Sequence, residues 1–539
     1  MAVGRRLPPR RSLGDGAGSR RGPLRDPAPA RPHPPHRTTG TFVNNAAIQV
    51  ATPPLLDSRT FTGRIHLDGA WVEGVGGTLD SIEPATGDVL ATVGLAGVPD
   101  VARAAEGAER AQRQWAALPP SQRAAVLRRA GALWEQHAEE IIGWNVREVG
   151  SIPPFAGFAA HVTASQCYEA AALPSHPLGQ MLSSDEPRLS FSQRVPAGVV
   201  GVISPFNVPL ILGIRAVAPA LALGNAVLLK PDPRTVVTGG VAMVRIFEEA
   251  GLPKGLLQLL PGGAEVGTAI VEDPRVRVVA FTGSTRAGRS VGELAGRHLK
   301  RAHLELGGNS AFIVRHDADV DKAVNLATWG NYLNQGQICM SIGRHIVHES
   351  LYDDYVTKLA AKAESMVVGN PAADQVHMGP VIDEAQRDRI HTWVREAAER
   401  GATVAAGGTY EGLFYRPTVI ADPPRDATVY AEEVFGPVVS VIPYATDEEA
   451  AELAADTEYG LSLGIVTADA LAGLELAQRI PTGIVHINDQ TVNDEANSPF
   501  GGVRSSGTGS RHGGAEADIE AFTETRWVTL RREPAQYPL

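Results

Sequence analysis

Gly198-Val-Val-Gly-Val-Ile-Ser-Pro-Phe-Asn-Val-Pro209 runs into the apolar stretch Leu210–Leu223, the pair Gly224-Asn225, and Ala226-Val-Leu-Leu-Lys230. Gly198–Ile203 is apolar without alternation, the pattern of a strand buried on both faces. The turn Ser204–Asn207 opens into a helix over Leu210–Leu223, with Pro209 suited to the first helical turn. The Gly-Asn turn then returns the chain to a second short apolar strand, Ala226–Lys230. Strand, covering helix and strand make a right-handed βαβ unit, so the sheet is mostly parallel.

The same alternation continues on both sides. Downstream come a helix over Thr238–Ala250, strands at Gly255–Leu260 and Val276–Phe281, and a helix beginning near Arg289. Upstream, folded structure begins near Thr60, where Ile65-His-Leu-Asp-Gly69 reads as a strand entering a turn. Val98–Ala117 and Ser121–Glu139 carry helical periodicity, separated by Pro119-Pro120. A second α/β stretch runs from about Gly308 to Gly507. It includes a strand at Ala311–Val314 and an amphipathic helix marked by Val320, Ala323, Val324 and Ala327. Glu524–Leu530 reads as an edge strand, belonging either to its own sheet or to that of a neighbouring subunit.

A chain of 539 residues with 43% hydrophobic and 20% charged residues has the profile of a soluble protein of two or three domains. No run approaches the roughly 18–20 apolar residues that a membrane span needs. The net charge of −11 argues against a general nucleic-acid binder. Two cysteines, Cys167 and Cys339, are too few for a disulfide framework, and no Cys/His cluster has zinc-site spacing. They suit a reducing compartment, and the cytoplasm is the expected location. Residues 1–40 hold nine Arg, two Asp and eight Pro, a local charge of +7 that leaves −18 on the remainder. Residues 1–45 are expected to form a disordered, solvated tail. A transit peptide would need an amphipathic helix that the prolines prevent, and an upstream start codon also explains the composition.

Several polar residues stand where chemistry is possible. Cys339, in Asn334-Gln-Gly-Gln-Ile-Cys339, lies on a loop just past a helix end; alone it reads as readily as a small buried hydrophobe. Glu305 sits between leucines and ahead of Gly307-Gly308, so burial lifts its pKa toward the range of a general base; a solvated strand-end glutamate is the plain alternative. Asn207 follows a buried strand, where its amide suits a developing oxyanion, or else it caps the helix. Phe281-Thr-Gly283-Ser284 and the turn ending at Gly267 are glycine turns after strands. A helix start there offers N–H groups to a pyrophosphate, although the G-x-G-x-x-G spacing is missing.

Together Asn207, Lys230, Gly283-Ser284, Leu304-Glu-Leu-Gly-Gly308, Gly336-Gln-Ile-Cys339, Glu432-Glu433-Val-Phe435-Gly-Pro437 and Pro499-Phe-Gly-Gly502 resemble the aldehyde dehydrogenase superfamily, from about residue 60 to 530. His298-Leu-Lys-Arg-Ala-His303 and His486-Ile-Asn-Asp-Gln-Thr491 look most like its benzaldehyde and vanillin branch.

The resemblance implies an α/β fold with a Rossmann-type cofactor domain (60–306, residues 178–196 joining an oligomerisation flap). It also implies an α/β catalytic domain (307–507) and a small β oligomerisation extension (508–539). It makes Cys339 the nucleophile, Glu305 the general base and Asn207 the oxyanion donor. It assigns Ser204, Phe206, Lys230, Gly267, Phe281, Gly283, Ser284, Gly288, Glu433 and Phe435 to the cofactor, NAD or NADP with a lean to NAD. Pro233 stands where many NAD-selective relatives carry a carboxylate, and the following Arg234 is suited to a 2′-phosphate. Arg215, about two helical turns past Asn207, either reaches the substrate tunnel or forms an ordinary buried ion pair. The implied reaction is oxidation of an aromatic aldehyde to its acid, without a metal, by a homodimer or homotetramer. An aliphatic semialdehyde or amino-aldehyde is the alternative substrate, and a non-catalytic cofactor-binding protein the remote one.

Overall fold

The computed structural model describes residues 54–538. The tail expected over residues 1–45 lies outside the described residues.

The βαβ unit expected over Gly198–Lys230 is a strand at Val199–Ile203, a helix at Pro209–Ala222 and a strand at Ala226–Lys230. Every residue of all three is buried, as their unbroken apolar character requires. They stand in the middle of a seven-stranded sheet. Its order is Arg301–Glu305, Val276–Thr282, Val199–Ile203, Ala226–Lys230, Leu257–Leu259, Arg64–Leu67 and Ala70–Glu73. The first five strands are parallel, and the last two are added antiparallel. The order reverses between Val199–Ile203 and Val276–Thr282. The loops leaving those two strands therefore diverge and open a crevice at their carboxyl ends, where α/β sheets hold ligands.

A second seven-stranded sheet runs Thr403–Ala406, Thr418–Ala421, Val438–Tyr444, Ile342–His348, Ser310–Val314, Ser462–Val466 and Ile484–Ile487. Only the pairing of Thr403–Ala406 with Thr418–Ala421 is antiparallel. Glu305 ends the edge strand of the first sheet and Ser310 begins a strand of the second, so four residues carry the chain between them. Thr523–Leu530 pairs antiparallel with Leu189–Pro196 of its own chain, and Gly179–Met181 completes this small third sheet. Trp527 Nε1 donates to Ser190 Oγ at 2.9 Å across it.

Three helices differ from their sequence reading. The helix expected near Arg289 begins at Thr285, because Ser284 caps it by accepting the Ala287 N–H. The stretch expected over Ser121–Glu139 is a helix at Pro120–Gln136 that breaks at His137, and a second helix, Ala138–Val149, follows. The helix expected over Thr238–Ala250 starts as a π-turn at Val237–Val241 before Ala242–Glu249 continues in α form. Buried Glu148 fixes that turn, accepting the N–H groups of Val237 and Thr238, the Thr238 hydroxyl, and Ser81 Oγ. Gly240 fits within it because a Cβ there would approach Leu259 to 2.6 Å.

Candidate active site

Cys339 follows a backbone that a free chain avoids. Asn334, Gln335 and Gly336 have φ of 51°, 59° and 66°, and left-handed residues other than glycine cost of order 1–3 kcal/mol each. Side-chain amides hold the strained loop. Asn334 Nδ2 donates to the Asn207 carbonyl at 2.9 Å, and its Oδ1 accepts Ser151 Oγ at 2.7 Å. Gln335 Nε2 donates to the Gly150 carbonyl at 2.7 Å, while Gln337 Oε1 accepts the Ile382 N–H at 3.1 Å. Glycine is required at 336, where a Cβ would lie 2.2 Å from the Gly436 carbonyl oxygen. A sequence that spends this much polar bonding on one loop fixes the thiol that follows it.

Two cavities meet at that thiol. One, about 290 Å³, is walled by Phe155, Phe158, Ile211, Leu212, Trp329 and Val492, with Arg215 and Asp494 also in its lining. The other, about 360 Å³, lies in the crevice at the strand-order reversal. Ser204, Phe206, Lys230, Phe281, Gly283, Ser284, Glu433 and Phe435 line it. Cys339, Asn207 and Leu212 belong to both walls. A further cavity of about 520 Å³ continues from the second past Lys230 and Phe281, and Gly267 lies in its lining. The crevice and this further cavity share Ile203, Lys230, Phe281 and Ala287, so they form two adjoining compartments, the first of which borders Cys339.

The donor set of the crevice fits that ligand. Ser204 Oγ is buried without a partner. Lys230 Nζ meets only the Pro231 carbonyl, at 3.4 Å, and burial lowers its pKa. Glu433 is held above the usual carboxylate range, at about 7, by burial, and its Oε1 accepts the Gly308 N–H. These atoms would hold ribose hydroxyls, and the start of the Thr285–Arg297 helix would face the phosphates.

Asn207 does not cap the helix. Val208 is the N-cap residue, and the Asn207 amide instead donates to the Gln337 carbonyl at 2.8 Å, while Asn207 and Cys339 line the same two cavities. Glu305 lines neither cavity. Its carboxylate is buried and lies against Gly501, where a Cβ would sit 2.8 Å from Oε1. Burial pushes its pKa up to about 8, while Arg215 and Arg511 pull the other way. The Cys339 thiol is pushed up to about 12, by its desolvating surroundings first and by Glu433 next.

Gly288, expected among the cofactor residues, lines none of these cavities. A Cβ there would strike Leu306 at 2.1 Å, so packing of the helix on the chain after Glu305 requires glycine. Arg215 lines the apolar cavity and also pairs with Asp494 at 3.1 Å. Asp494 escaped the sequence reading, as did Phe155, Phe158 and Trp329, which reach the cavity from distant helices and carry no local motif.

This fold, with a thiol set between an apolar cavity and a dinucleotide crevice, agrees with the match of residues 71–528 to the aldehyde dehydrogenase family. The chain belongs to that family and is an NAD(P)-dependent aldehyde dehydrogenase. It is 63% identical over 483 residues to a vanillin dehydrogenase of Amycolatopsis, covering 90% of this chain and 99% of the relative. It is 48% identical to the NAD(+) benzaldehyde dehydrogenase of Pseudomonas putida, covering 87% and 96%. A salicylaldehyde dehydrogenase of Pseudomonas putida G7, solved with salicylaldehyde, superposes with a TM-score of 0.85 at 34% identity, over 89% of this chain and all of that one.

Proposed function

We propose that this enzyme oxidises aromatic aldehydes to carboxylic acids, with Cys339 as nucleophile, Asn207 as oxyanion donor and Glu305 as the base that activates water. The observation that carries the reading is the shared wall: Cys339 and Asn207 border both an apolar cavity and the cofactor crevice. At about 290 Å³ the apolar cavity is near the small end of ligand sites, which run from roughly 300 to 1,000 Å³, and its aromatic walls suit a single ring.

The thiol of Cys339 gives up its proton to solvent as sulfur adds to the aldehyde carbon, giving a thiohemiacetal oxyanion. The Asn207 amide and the Cys339 backbone N–H hold the oxyanion. The bound cofactor supplies a hydride acceptor. Loss of hydride leaves a thioester on Cys339, and Glu305 takes a proton from the water that cleaves it, restoring the thiol. Removing one preorganised oxyanion donor costs about 10²–10³ in kcat, so Asn207→Ala is expected to fall by that factor with KM for cofactor little changed. An undiminished kcat would remove Asn207 from the role.

NAD is the preferred cofactor on this reading. Arg234 chelates Asp232, pairs with Asp383 at 2.7 Å and lies 4.1 Å over Phe206, so its charge is already committed. Arg297, beside the outer cavity, is paired with Glu293. The carboxylates of Asp232 and Glu265 lie near enough to act on Lys230, and they would repel a 2′-phosphate. Steady-state oxidation of benzaldehyde, vanillin, hexanal and succinic semialdehyde, each with NAD and NADP, tests both points. Aromatic substrates are expected to lead in kcat/KM, with NAD ahead of NADP by about tenfold or more. A lead for hexanal or succinic semialdehyde would overturn the substrate class, and parity of the two cofactors the preference. We also assign 178–196 and 508–539 to contacts within a dimer or tetramer, supported by exposed Met181, Trp527 and Leu530 on the small sheet.

A further inference from the structure

Asn207 and the loop ahead of Cys339 hold each other by one hydrogen bond in each direction. Asn207 Nδ2 donates to the Gln337 carbonyl at 2.8 Å, and Asn334 Nδ2 donates to the Asn207 carbonyl at 2.9 Å. Asn207 follows the Val199–Ile203 strand of the first sheet, whereas Asn334 follows the Val320–Tyr332 helix in the second half of the chain. A third element fixes the direction of this brace. Ser151 lies just past Gly150, the left-handed C-cap of the Ala138–Val149 helix, and its Oγ meets Asn334 Oδ1 at 2.7 Å. A carbonyl oxygen only accepts, so Asn334 must turn its NH2 toward Asn207 and its oxygen toward Ser151, whose hydroxyl then donates. Ser151, Asn207 and Asn334 are 1%, 3% and 3% exposed, so water does not compete for these bonds. Neither Ser151 nor Asn334 lines the apolar cavity or the cofactor crevice.

We propose that Ser151 and Asn334 are positioning residues for the oxyanion: acting through the Asn207 backbone, they set the Asn207 amide relative to the backbone N–H of Cys339. The inference rests on the reading of Asn207 as oxyanion donor. One amide hydrogen of Asn207 is spent on the Gln337 carbonyl, so only the other is left for the oxyanion. Its direction follows from where the Asn207 backbone is held. Two donors converge on one oxygen only if their geometry is kept to within about 0.5 Å. The sulfur has restraints of its own. Gln335 Nε2 on the Gly150 carbonyl and Gln337 Oε1 on the Ile382 N–H hold the loop without Asn334. Loss of the brace therefore disturbs the oxyanion donors and leaves the thiol in place.

The test follows the burst of reduced cofactor with benzaldehyde and, separately, the alkylation of Cys339 by iodoacetamide. It uses the wild type, Ser151→Ala, Asn334→Gly, Asn207→Ala, and Asn207→Ala combined with each of the first two. Asn334→Gly removes both side-chain bonds and keeps a residue at ease with a φ of 51°. The burst passes through the oxyanion, whereas alkylation needs only the sulfur. Asn334→Gly is expected to slow the burst by about 10²-fold and Ser151→Ala by about tenfold. Alkylation rate and NAD affinity should stay within about twofold of wild type in both. In the Asn207→Ala background the same substitutions should slow the burst by no more than about twofold, because the donor they position is gone. An unchanged burst in the single variants overturns the positioning role. So does a loss of alkylation that matches the loss of burst, or a full additive loss on top of Asn207→Ala. Ser151→Ala deletes one atom and carries the test if Asn334→Gly does not fold. Failure of the underlying reading shows separately, as an undiminished burst in Asn207→Ala alone.

Discussion

Replacing Cys339 with alanine is expected to lower aldehyde oxidation by on the order of 10⁴-fold or more while leaving NAD bound with nearly unchanged affinity. The loss is large because no other group at the junction of the two cavities forms a covalent bond to the carbonyl carbon. Binding survives because the cysteine contributes only one end of the crevice, whose hydroxyl- and phosphate-facing groups lie farther along it. Stopped-flow absorbance of the reduced cofactor measures the first quantity, and titration calorimetry with NAD the second. Turnover of the variant within tenfold of wild type would remove Cys339 from the reaction. A chemical counterpart uses the other cysteine as an internal control. Cys167 is fully buried and its thiol is pushed far up by desolvation, so alkylation by iodoacetamide should be confined to Cys339 in the folded protein. With its thiol held at about 12, Cys339 should react slowly at neutral pH without cofactor, and the rate should rise tenfold per pH unit.

That Cys339 was legible before its surroundings follows from how the motifs are built. The first βαβ unit is apolar throughout, so periodicity and turn residues placed Val199–Ile203 and Ala226–Lys230 almost to the residue. The left-handed run at Asn334–Gly336 sits next to the cysteine in sequence, and its glycine and amides are local signals. Arg215 and Asp494, in contrast, are 279 positions apart, and neither is surrounded by residues that announce the other. Their meeting depends on how the Pro209–Ala222 helix packs against a loop of the second half of the chain. Helix starts are hidden from the sequence for a related reason. Whether Ser284 caps a helix or only follows a strand is decided by the path of the chain, and so is the packing of Gly288 against Leu306 inside that helix. The π-turn at Val237–Val241 depends on Glu148, some ninety residues away, which no local pattern reveals.

Glu305→Gln is expected to divide the reaction at its midpoint. Hydride departure needs sulfur, the oxyanion donors and the cofactor, so the first turnover should still release about one equivalent of reduced cofactor per site. Cleavage of the thioester needs a base, and removal of a positioned general base costs about 10²–10⁴-fold, so the steady state after the burst should fall by roughly 10³-fold. Rapid-quench mass spectrometry should find the acyl group on Cys339. The pH profile gives an independent reading. Burial holds Glu305 at about 8, with Arg215 and Arg511 opposing the rise and Asp494 adding to it. Only the ionised form accepts a proton from water, and at pH 7 about a tenth of the molecules carry it. Steady-state kcat should therefore climb nearly tenfold per pH unit below 8 and level off above it. In Glu305→Gln that limb should vanish together with the rate, whereas a variant that loses the burst as well would place Glu305 in thiol activation instead of hydrolysis. The carboxylate lines neither cavity and lies against Gly501, so a turn of the side chain toward the thioester is the motion expected of Glu305 as the base. Gly501→Ala would crowd Oε1 at 2.8 Å and the Ser510 carbonyl at 2.5 Å, and it should slow thioester cleavage while sparing the burst.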